Sequence, residues 1–282
     1  MVDLGVVGHG LVDGVALAHG DDSGQLSVGA LLPLVLTVAV FAGYLAAATT
    51  ERRRRGWSTG RIAAFTVGTA LLAWALSPSF DAYAEDRFSG HVAQHLVLAM
   101  LAPLALVLGA PVTLALRSLP HRWARVLGRA LRSRVLHVVA NPWVALLLSA
   151  GGTVVLYLTP LYEATTREPA LHGVVHLHFL MSGCLFAWVV AGPDPAPGRA
   201  SIRTRLIVLG VSIAVHASLA QLLYAGLLVQ VREPAAEMQA GGDLMYVGGD
   251  IAELLLAVAL LVSWRPRPRR ITSSGTQPAS GG

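Results

Sequence analysis

The sequence predicts an all-α integral membrane protein, a bundle of seven transmembrane helices with the N-terminus outside and the C-terminus in the cytoplasm. Three observations predict this fold class: an apolar composition, seven apolar stretches of spanning length, and an uneven distribution of arginine. Of the 282 residues, 54% are hydrophobic and 13% are charged, and the mean hydropathy is +0.61. A soluble domain of this size would have a larger share of polar residues.

Seven apolar stretches are long enough to cross a bilayer, because a helical span needs roughly 20 residues at about 1.5 Å each. They are Leu26–Ala48, Ile62–Phe80, His91–Leu116, Val138–Leu158, Leu171–Val190, Leu206–Val229 and Asp243–Trp264. Pro103 and Pro111 each lack a backbone donor, so we expect the third stretch to bend. An odd number of spans places the two termini on opposite sides of the membrane.

The distribution of arginine predicts the orientation. Eighteen of the 21 basic residues, all arginine, lie in four short segments, and all 16 acidic residues lie outside them, with only Glu51 and Asp194 close by. These segments are residues 52–61, 117–134, 199–205 and 265–270. Cytoplasmic loops retain basic residues, so the four segments are predicted to be cytoplasmic. The net charge of +5 is then explained by basic cytoplasmic loops that face the anionic headgroups of the lipid bilayer. It does not predict a nucleic acid partner.

The chain is expected to have three parts. Residues 1–25 form an extracytoplasmic N-terminal segment, which has four aspartates and lacks the basic region of a signal peptide. Residues 26–264 form the seven-helix membrane domain. Residues 265–282 form a basic and then disordered cytoplasmic tail. Cys184 is the single cysteine, which excludes an internal disulfide and a Cys-Cys metal motif.

Two histidine pairs are the main candidates for a functional site. His91 and His95 lie at the outer start of the third stretch, and His172 and His176 lie at the outer start of the fifth. Residues four apart share one helix face, and neutral imidazole is a common transition-metal ligand. A single histidine at a helix end is usually interfacial, but two such pairs at similar depth favour one metal site. His178 points to another face and is excluded from this set.

Further ionisable residues are candidates for supporting roles. Asp243, Tyr246, Asp250 and Glu253 form a stripe on the seventh stretch within roughly 80° of arc, and such a stripe could hold the second nitrogens of ligating histidines. His216 lies near the middle of the sixth stretch. His216 and Glu253 are both expected about 15 Å deep, and they are predicted to pair because an isolated charge there is costly.

Three segments resemble the CtaG family of cytochrome c oxidase assembly factors. They are His91-Val-Ala-Gln-His95 continuing through Met100-Leu-Ala-Pro103 to Leu108-Gly-Ala-Pro111, the helix from His172 and His176 through Gly183 into Ala191-Gly-Pro-Asp-Pro195, and Gly241-Gly-Asp-Leu-Met-Tyr-Val-Gly-Gly-Asp250-Ile-Ala-Glu253. The resemblance extends from about Leu31 to Trp264. Together the three segments are fairly specific.

The resemblance implies a multi-pass protein of the bacterial plasma membrane that is not an enzyme. Its expected function is oxidase maturation, by delivering or inserting copper at the CuB centre, which lies in the membrane nearer the outer face. The expected partners are subunit I of cytochrome c oxidase and an extracytoplasmic copper chaperone. Copper would be a transient cargo, held at the four histidines.

Two other functions stay open from the sequence. A haem-binding membrane redox protein also needs histidines on facing helices, because b-type haem takes two axial imidazoles. A copper or proton-coupled transporter would need a polar path to the cytoplasmic side. The inner halves of the third, fifth and seventh stretches are apolar, which argues against transport.

The predicted topology can be tested by labelling single cysteines after replacing Cys184. Residues expected outside are Glu85, Thr165 and Gln239, and those expected in the cytoplasm are Trp57, Leu127, Gly198 and Thr276. In intact cells, an impermeant thiol reagent should label a cysteine at Glu85 and spare one at Gly198, because every loop is short enough for the positive-inside rule. Labelling at Gly198 from outside would contradict the predicted orientation.

Overall fold

The computed structural model describes residues 28–263, with side chains from residue 32 onward, and every regular element in that range is helical. The helices are α1 (Val28–Arg55), α2 (Thr59–Ala75), α3 (Pro78–Asp86), α4 (Phe88–Leu108), α5 (Pro111–Ser118), α6 (His121–Leu131), α7 (Arg134–Val139), α8 (Pro142–Leu158), α9 (Leu161–Arg167), α10 (Pro169–Val190), α11 (Ile202–Ala225) and α12 (Ala235–Ser263). The predicted N-terminal segment and the cytoplasmic tail lie outside the described residues.

Five helices are each long and apolar enough to cross a membrane alone, namely α1, α4, α10, α11 and α12. Two further candidates are bent pairs: α2 with α3, at an angle of 55°, and α8 with α9, at 79°. The prediction of an all-helical fold is confirmed over the described residues, and five to seven candidate spans suit a multi-pass membrane protein.

Each predicted stretch overlaps a helix, but the third ends earlier than predicted. It was expected to reach Leu116, whereas α4 ends at Leu108. Ala110 then adopts a left-handed conformation with φ of 54°, and Pro111 begins α5. Proline is favoured in the first turn of a helix, where no backbone donor is needed, so the chain restarts there as a new helix.

The second stretch breaks in a similar way. It was expected to reach Phe80, but α2 ends at Ala75 and the chain turns into α3. Pro78 occupies the first turn of α3, and the Ser77 hydroxyl accepts a hydrogen bond from the Phe80 amide at 3.4 Å. Serine followed by proline is a strong helix start, and it overrides the apolar run. Other helix ends also differ: α1 ends at Arg55 rather than Ala48, α8 begins at Pro142 rather than Val138, α11 ends at Ala225 rather than Val229, and α12 begins at Ala235 rather than Asp243.

The bundle has two distinct ends. The starts of α4 and α12 are in contact. The backbone amide and the hydroxyl of Ser89 on α4 donate hydrogen bonds to the carboxylate of Glu237 on α12, at 3.2 and 3.0 Å. The start of α10 lies beside them, since His172 contacts His91. We call this the histidine end. The opposite end contains the arginine-rich connections that follow α4 and α10, and we call it the arginine end.

A backbone contact joins α4 to α10. Residues Val97–Leu101 of α4 form a π-helical turn, in which the Ala102 amide bonds to the carbonyl of Val97. Pro103 has no amide hydrogen, so the Ala99 carbonyl receives no bond from it. Gly183 of α10 packs against this carbonyl so closely that a Cβ atom would overlap it. The two helices therefore approach each other more closely than ordinary side chains would permit.

The arginine end is held by a buried carboxylate. Asp194 accepts hydrogen bonds from the backbone amides of Val112 at 3.0 Å and Thr113 at 2.7 Å, which are the first free donors of α5. Arg199 donates to the carbonyls of Gly192 and Asp194. Burial lowers the pKa of Arg199, and the Asp194 charge partly opposes this effect. The connection after α10 is thereby fastened to the connection after α4.

Helix α6 has the character of a helix that lies along a membrane surface. None of its side chains is buried, and Trp123 and Val126 are exposed apolar groups. Three arginines, Arg122, Arg125 and Arg129, are interleaved with them. Amphipathic, arginine-rich helices of this kind lie in the headgroup region.

The contact at Gly183 can be tested with a matched pair of substitutions in α10. Gly183→Ala should lower stability by about 1–3 kcal/mol, because the added methyl group forces α10 away from α4. Gly173→Ala should be neutral or slightly stabilising, since nothing lies within 4 Å of its Cβ position and alanine favours the helix. Thermal unfolding in detergent measures both. Equal unfolding midpoints would contradict the contact.

Candidate metal centre

The first two histidines lie on one buried face at the start of α4. His91 is 3% exposed and His95 is 5% exposed, and their ring centroids are 4.0 Å apart. The i,i+4 spacing places the two rings one above the other on the helix. The π-helical turn begins two residues after His95. Such turns occur frequently at functional sites.

The second pair lies on α10 and faces the first. The rings of His172 and His176 are 4.1 Å apart. Between the helices, the ring centroids of His91 and His172 are 5.7 Å apart, and those of His95 and His176 are 5.3 Å apart. The structure thus brings all four predicted ligand residues into one cluster, which we call the histidine cluster.

Three members of the cluster are placed to share one ion. His91, His95 and His172 each offer a ring nitrogen, and the three nitrogens lie within 4.8 Å of one another. Imidazole binds zinc at about 2.0–2.1 Å, so the nitrogens of a trigonal three-coordinate site lie about 3.6 Å apart. A closure of about 1.2 Å between the most distant nitrogens would complete such a site. His176 lies beside this trio as a fourth donor.

Five ring nitrogens of the cluster are buried and have no hydrogen-bond partner among the residues that the structure describes. Nε2 of His91, His172 and His176 is buried without a hydrogen bond, as are both ring nitrogens of His95. Leaving a buried polar group unpaired costs about 1–3 kcal/mol, so several such groups facing one another need an explanation. A bound cation would satisfy one nitrogen of each ligating ring. These residues therefore fit a metal ion held by neutral imidazoles.

Aromatic side chains surround the cluster and limit the access of water. The ring of Phe179 is 4.8 Å from that of His95, and the ring of Tyr162 is 4.9 Å from that of His91. The Tyr162 hydroxyl donates to Glu233 at 3.2 Å. Sequence spacing did not identify Tyr162, because it lies on the short helix α9, outside the apolar periodicity that marks the spanning helices.

Gln94 is a second residue that the spacing analysis missed. It is fully buried, and its amide nitrogen donates to the Ala75 carbonyl at 2.8 Å and to Asp81 at 3.1 Å. Gln94 thereby fastens α4 to the break between α2 and α3. The position of Gln94 between His91 and His95 could have identified it from the sequence, since a buried glutamine requires hydrogen-bond partners.

The predicted pairing of His216 with Glu253 is confirmed. Glu253 is 1% exposed, and its Oε1 lies 3.8 Å from Nδ1 of His216. This distance suits an electrostatic pair and is too long for a hydrogen bond. The Ser212 hydroxyl donates to the same carboxylate oxygen at 3.0 Å. Gly249 lies against the His216 ring, where a Cβ would overlap it.

The other residues of the predicted α12 stripe do not support the cluster. Asp243, Tyr246 and Asp250 are exposed, and none of them hydrogen-bonds to a histidine among the described residues. The prediction that they hold the second nitrogens of the ligands is therefore wrong. The face that α12 turns inward is marked by Gly241 and Gly249, because glycines permit the closest approach of α4 and α11. Glu253 borders this inward face, whereas the other three lie beyond it.

His178 lies outside the cluster, as predicted. Its Nε2 is 3.1 Å from the Leu148 carbonyl on α8, and its ring lies against Gly152. Although it is two residues from His176, it belongs to a different surface of α10. It therefore provides a matched comparison for the ligand histidines.

The family comparison covers the whole cluster. The family described as cytochrome c oxidase caa3 assembly factor (Caa3_CtaG) matches residues 42–267. The chain belongs to this assembly-factor family. The resemblance inferred from the three sequence segments is confirmed, and the match includes every residue of the histidine cluster and the pair formed by His216 and Glu253.

Curated relatives occur in mycobacteria. Uncharacterized proteins of Mycobacterium bovis and Mycobacterium tuberculosis are each 31% identical to this chain over 262 residues, which is 85% of this chain and 39% of the relative. One of Mycobacterium leprae is 29% identical over 260 residues, with 84% and 38% covered. The chain spans about two fifths of the length of these relatives. No solved structure matches it.

Proposed function

We propose that this protein, a member of the assembly-factor family, holds a copper ion at His91, His95 and His172 and delivers it to the CuB centre in subunit I of cytochrome c oxidase. The observation that carries the proposal is that His91, His95 and His172 each bring a ring nitrogen within 4.8 Å of the others, in a cluster that contains buried, unpartnered ring nitrogens. His176 serves as an additional donor during entry or release of the ion. The role is that of a carrier and involves no catalytic step.

The chemistry of the ligands favours copper in the +1 state. Imidazole suits copper, zinc, iron and nickel, and the assembly of a copper-containing oxidase favours copper among them. The trio has no thiolate or carboxylate, so it does not neutralise the charge of the ion. Burying charge is costly, which favours a univalent ion. A neutral three-nitrogen site also releases its ion readily, as a delivery protein requires.

The proposed location follows from the charge pattern. The arginine end contains the basic connections, so the positive-inside rule puts the histidine end on the outer side of the bacterial plasma membrane. The cluster then lies in the outer part of the bilayer, at a depth that suits transfer to CuB. An extracytoplasmic copper chaperone could load the site from the same side.

The cavity beside the cluster disfavours the haem-binding alternative. It measures about 70 Å³, whereas pockets for drug-sized ligands measure roughly 300–1,000 Å³. A larger open groove of about 510 Å³ lies between α8 and α11. Its lining is almost wholly apolar and includes no histidine. Neither space combines the volume and the axial ligands that haem requires.

The lining of the same cavity disfavours transport across the membrane. Towards the arginine end it closes on apolar side chains, including Leu104, Phe186 and Leu256. These residues belong to or border a buried apolar cluster that continues through Val190 and Leu260. A transporter needs a polar path through this region, and the packed side chains leave none among the described residues.

The proposal can be tested with histidine variants of the intact membrane protein. His95→Ala and His172→Ala should each lower copper affinity at least about 100-fold, beyond the 10–100-fold loss typical of removing an outer-shell partner. Both variants should insert at normal levels and fail to support an active oxidase. Excess copper should partly restore activity. Metal analysis of the purified protein and oxidase activity of the cells measure these effects.

The control is His178→Ala, which removes a histidine of α10 outside the cluster. It should keep both copper content and oxidase activity. Normal copper content in His95→Ala and His172→Ala would overturn the assigned site. A Soret band in the purified wild-type protein would favour the haem alternative instead.

A further inference from the structure

Two arginines meet at one buried tryptophan at the arginine end of the bundle. Trp57 lies in the connection between α1 and α2 and is only 4% exposed. The guanidinium carbon of Arg61 is 4.8 Å from the centroid of its ring, and that of Arg117 is 5.6 Å from it. Arg61 belongs to α2 and Arg117 to α5, so the fold brings two positive charges from separate helices to the same aromatic ring.

The tryptophan ring is held in place by hydrogen bonds. Its indole N–H donates to the Tyr44 hydroxyl at 3.4 Å, and that hydroxyl donates to the carbonyl of Gly109, between α4 and α5, at 2.8 Å. The ring of Tyr44 stacks on that of Phe65, with the centroids 3.7 Å apart. An aromatic face attracts a guanidinium group and orients it. Trp57 is therefore a fixed platform for both arginines.

No carboxylate neutralises the two arginines among the residues that the structure describes. Neither guanidinium group forms an ion pair there. The two acidic residues at this end, Glu51 and Asp194, are buried, and Asp194 already binds backbone amides of α5. Like charges at one ring repel each other, and each guanidinium group has five N–H donors to satisfy. An anion bound by both Arg61 and Arg117 would remove the repulsion and accept these hydrogen bonds.

The orientation of the protein in the membrane does not explain this arrangement. The positive-inside rule requires only that basic residues lie in a cytoplasmic loop, and the exposed arginines of residues 52–55 meet that requirement. The rule does not require two arginines to converge on a buried ring. Arg61 and Arg117 thus differ from Arg53, which is exposed and has no aromatic partner among the described residues.

The position of the two arginines suits the headgroup of a phospholipid. Trp57 follows α1, which is long and apolar enough to cross a membrane. Val67, which lies about 9 Å further along α2 than Arg61, is an exposed apolar side chain. Arg117 lies at the end of α5, close to the amphipathic helix α6 with its exposed Trp123. A ligand here would place an anionic group at the arginines and an apolar part along α2.

We propose that Arg61 and Arg117 bind the phosphate group of an anionic phospholipid, which anchors the arginine end to the inner leaflet of the membrane. A planar guanidinium group donates two parallel hydrogen bonds to phosphate oxygens, and the second arginine engages the remaining oxygens. The lipid would join α2 to α5 and so stabilise the connection after α4. The site lies at the opposite end of the bundle from the histidine cluster, and it does not depend on metal binding.

The test measures the binding of phosphatidylglycerol, an anionic phospholipid, to the purified full-length protein in detergent by native mass spectrometry. Phosphatidylcholine, whose choline group balances its phosphate charge, is the reference lipid. Wild-type protein should bind phosphatidylglycerol at least about 10-fold more tightly, because charge-assisted hydrogen bonds contribute on that scale. Phosphatidylglycerol should also raise the thermal unfolding midpoint more than phosphatidylcholine does, since a ligand of the native state stabilises it.

Matched arginine variants locate the site. Arg61→Gln and Arg117→Gln should each lower the affinity for phosphatidylglycerol about 10-fold and leave the binding of phosphatidylcholine unchanged. Arg117 is exposed, so its replacement should keep the fold even if that of Arg61 does not. Arg53→Gln is the control, because it removes the same charge from an exposed position at the same end, and it should change neither affinity. His95→Ala should bind phosphatidylglycerol normally, which separates this site from the metal centre.

Three outcomes would overturn the proposed lipid site. Equal affinity of wild-type protein for the two lipids would show that the anionic lipid is not selected. An equal loss of affinity in Arg53→Gln and Arg117→Gln would show that the lipid responds to the overall surface charge. Equal stabilisation by inorganic phosphate and by phosphatidylglycerol would show that the ligand is a free anion and not a lipid.

Discussion

The backbone contact between α4 and α10 is the interaction on which the site depends. Gly183 lies directly against the Ala99 carbonyl, and Pro103 leaves that carbonyl without its usual helical donor. Two helices in such contact bring the histidine rings on their facing surfaces close together. The four histidines meet for this reason, although each pair by itself is an ordinary i,i+4 arrangement. The π-helical turn that begins two residues after His95 is part of the same contact, since Ala99 lies within it.

The cost of burial explains why this arrangement suits a carrier. Orphaned imidazole nitrogens destabilise the protein without an ion, and an uncompensated charge destabilises it with one. In the proposed carrier these two costs would oppose each other, one favouring uptake of the ion and the other its release. A cluster fully supported by outer-shell carboxylates would bind more tightly and release more slowly. The exposure of Asp243 and Asp250, away from the cluster, is consistent with a site built for exchange.

Much of the fold could be predicted from the sequence, because long apolar runs and arginine segments act independently of tertiary contacts. The histidine pairs were predictable for the same reason: their spacing is local. Helical spacing also showed that Asp243, Tyr246, Asp250 and Glu253 share an arc, yet it does not reveal which side of the arc faces inward. Packing of the α12 glycines decides that, and it buries Glu253 alone.

Features that depend on contacts between two distant segments of the chain could not be predicted from the sequence. Asp194 looks like a turn residue between prolines, but it binds the first amides of α5, about 80 residues earlier in the chain. Tyr162 and Gln94 likewise acquire their roles only when α9 and the break after α2 fold against α4. The breaks themselves were only partly predictable, because a proline that ends one helix also begins the next.

X-ray absorption spectroscopy of the Cu⁺-loaded protein tests the three-histidine site most directly, because it identifies the donor atoms around the metal. We predict three nitrogen donors at about 2.0 Å, with the outer scattering pattern of imidazole rings and no sulfur. The same spectrum should be absent from His95→Ala protein loaded under identical conditions. A sulfur donor would point to Met100, Met245 or Cys184 within the bundle and would contradict the site.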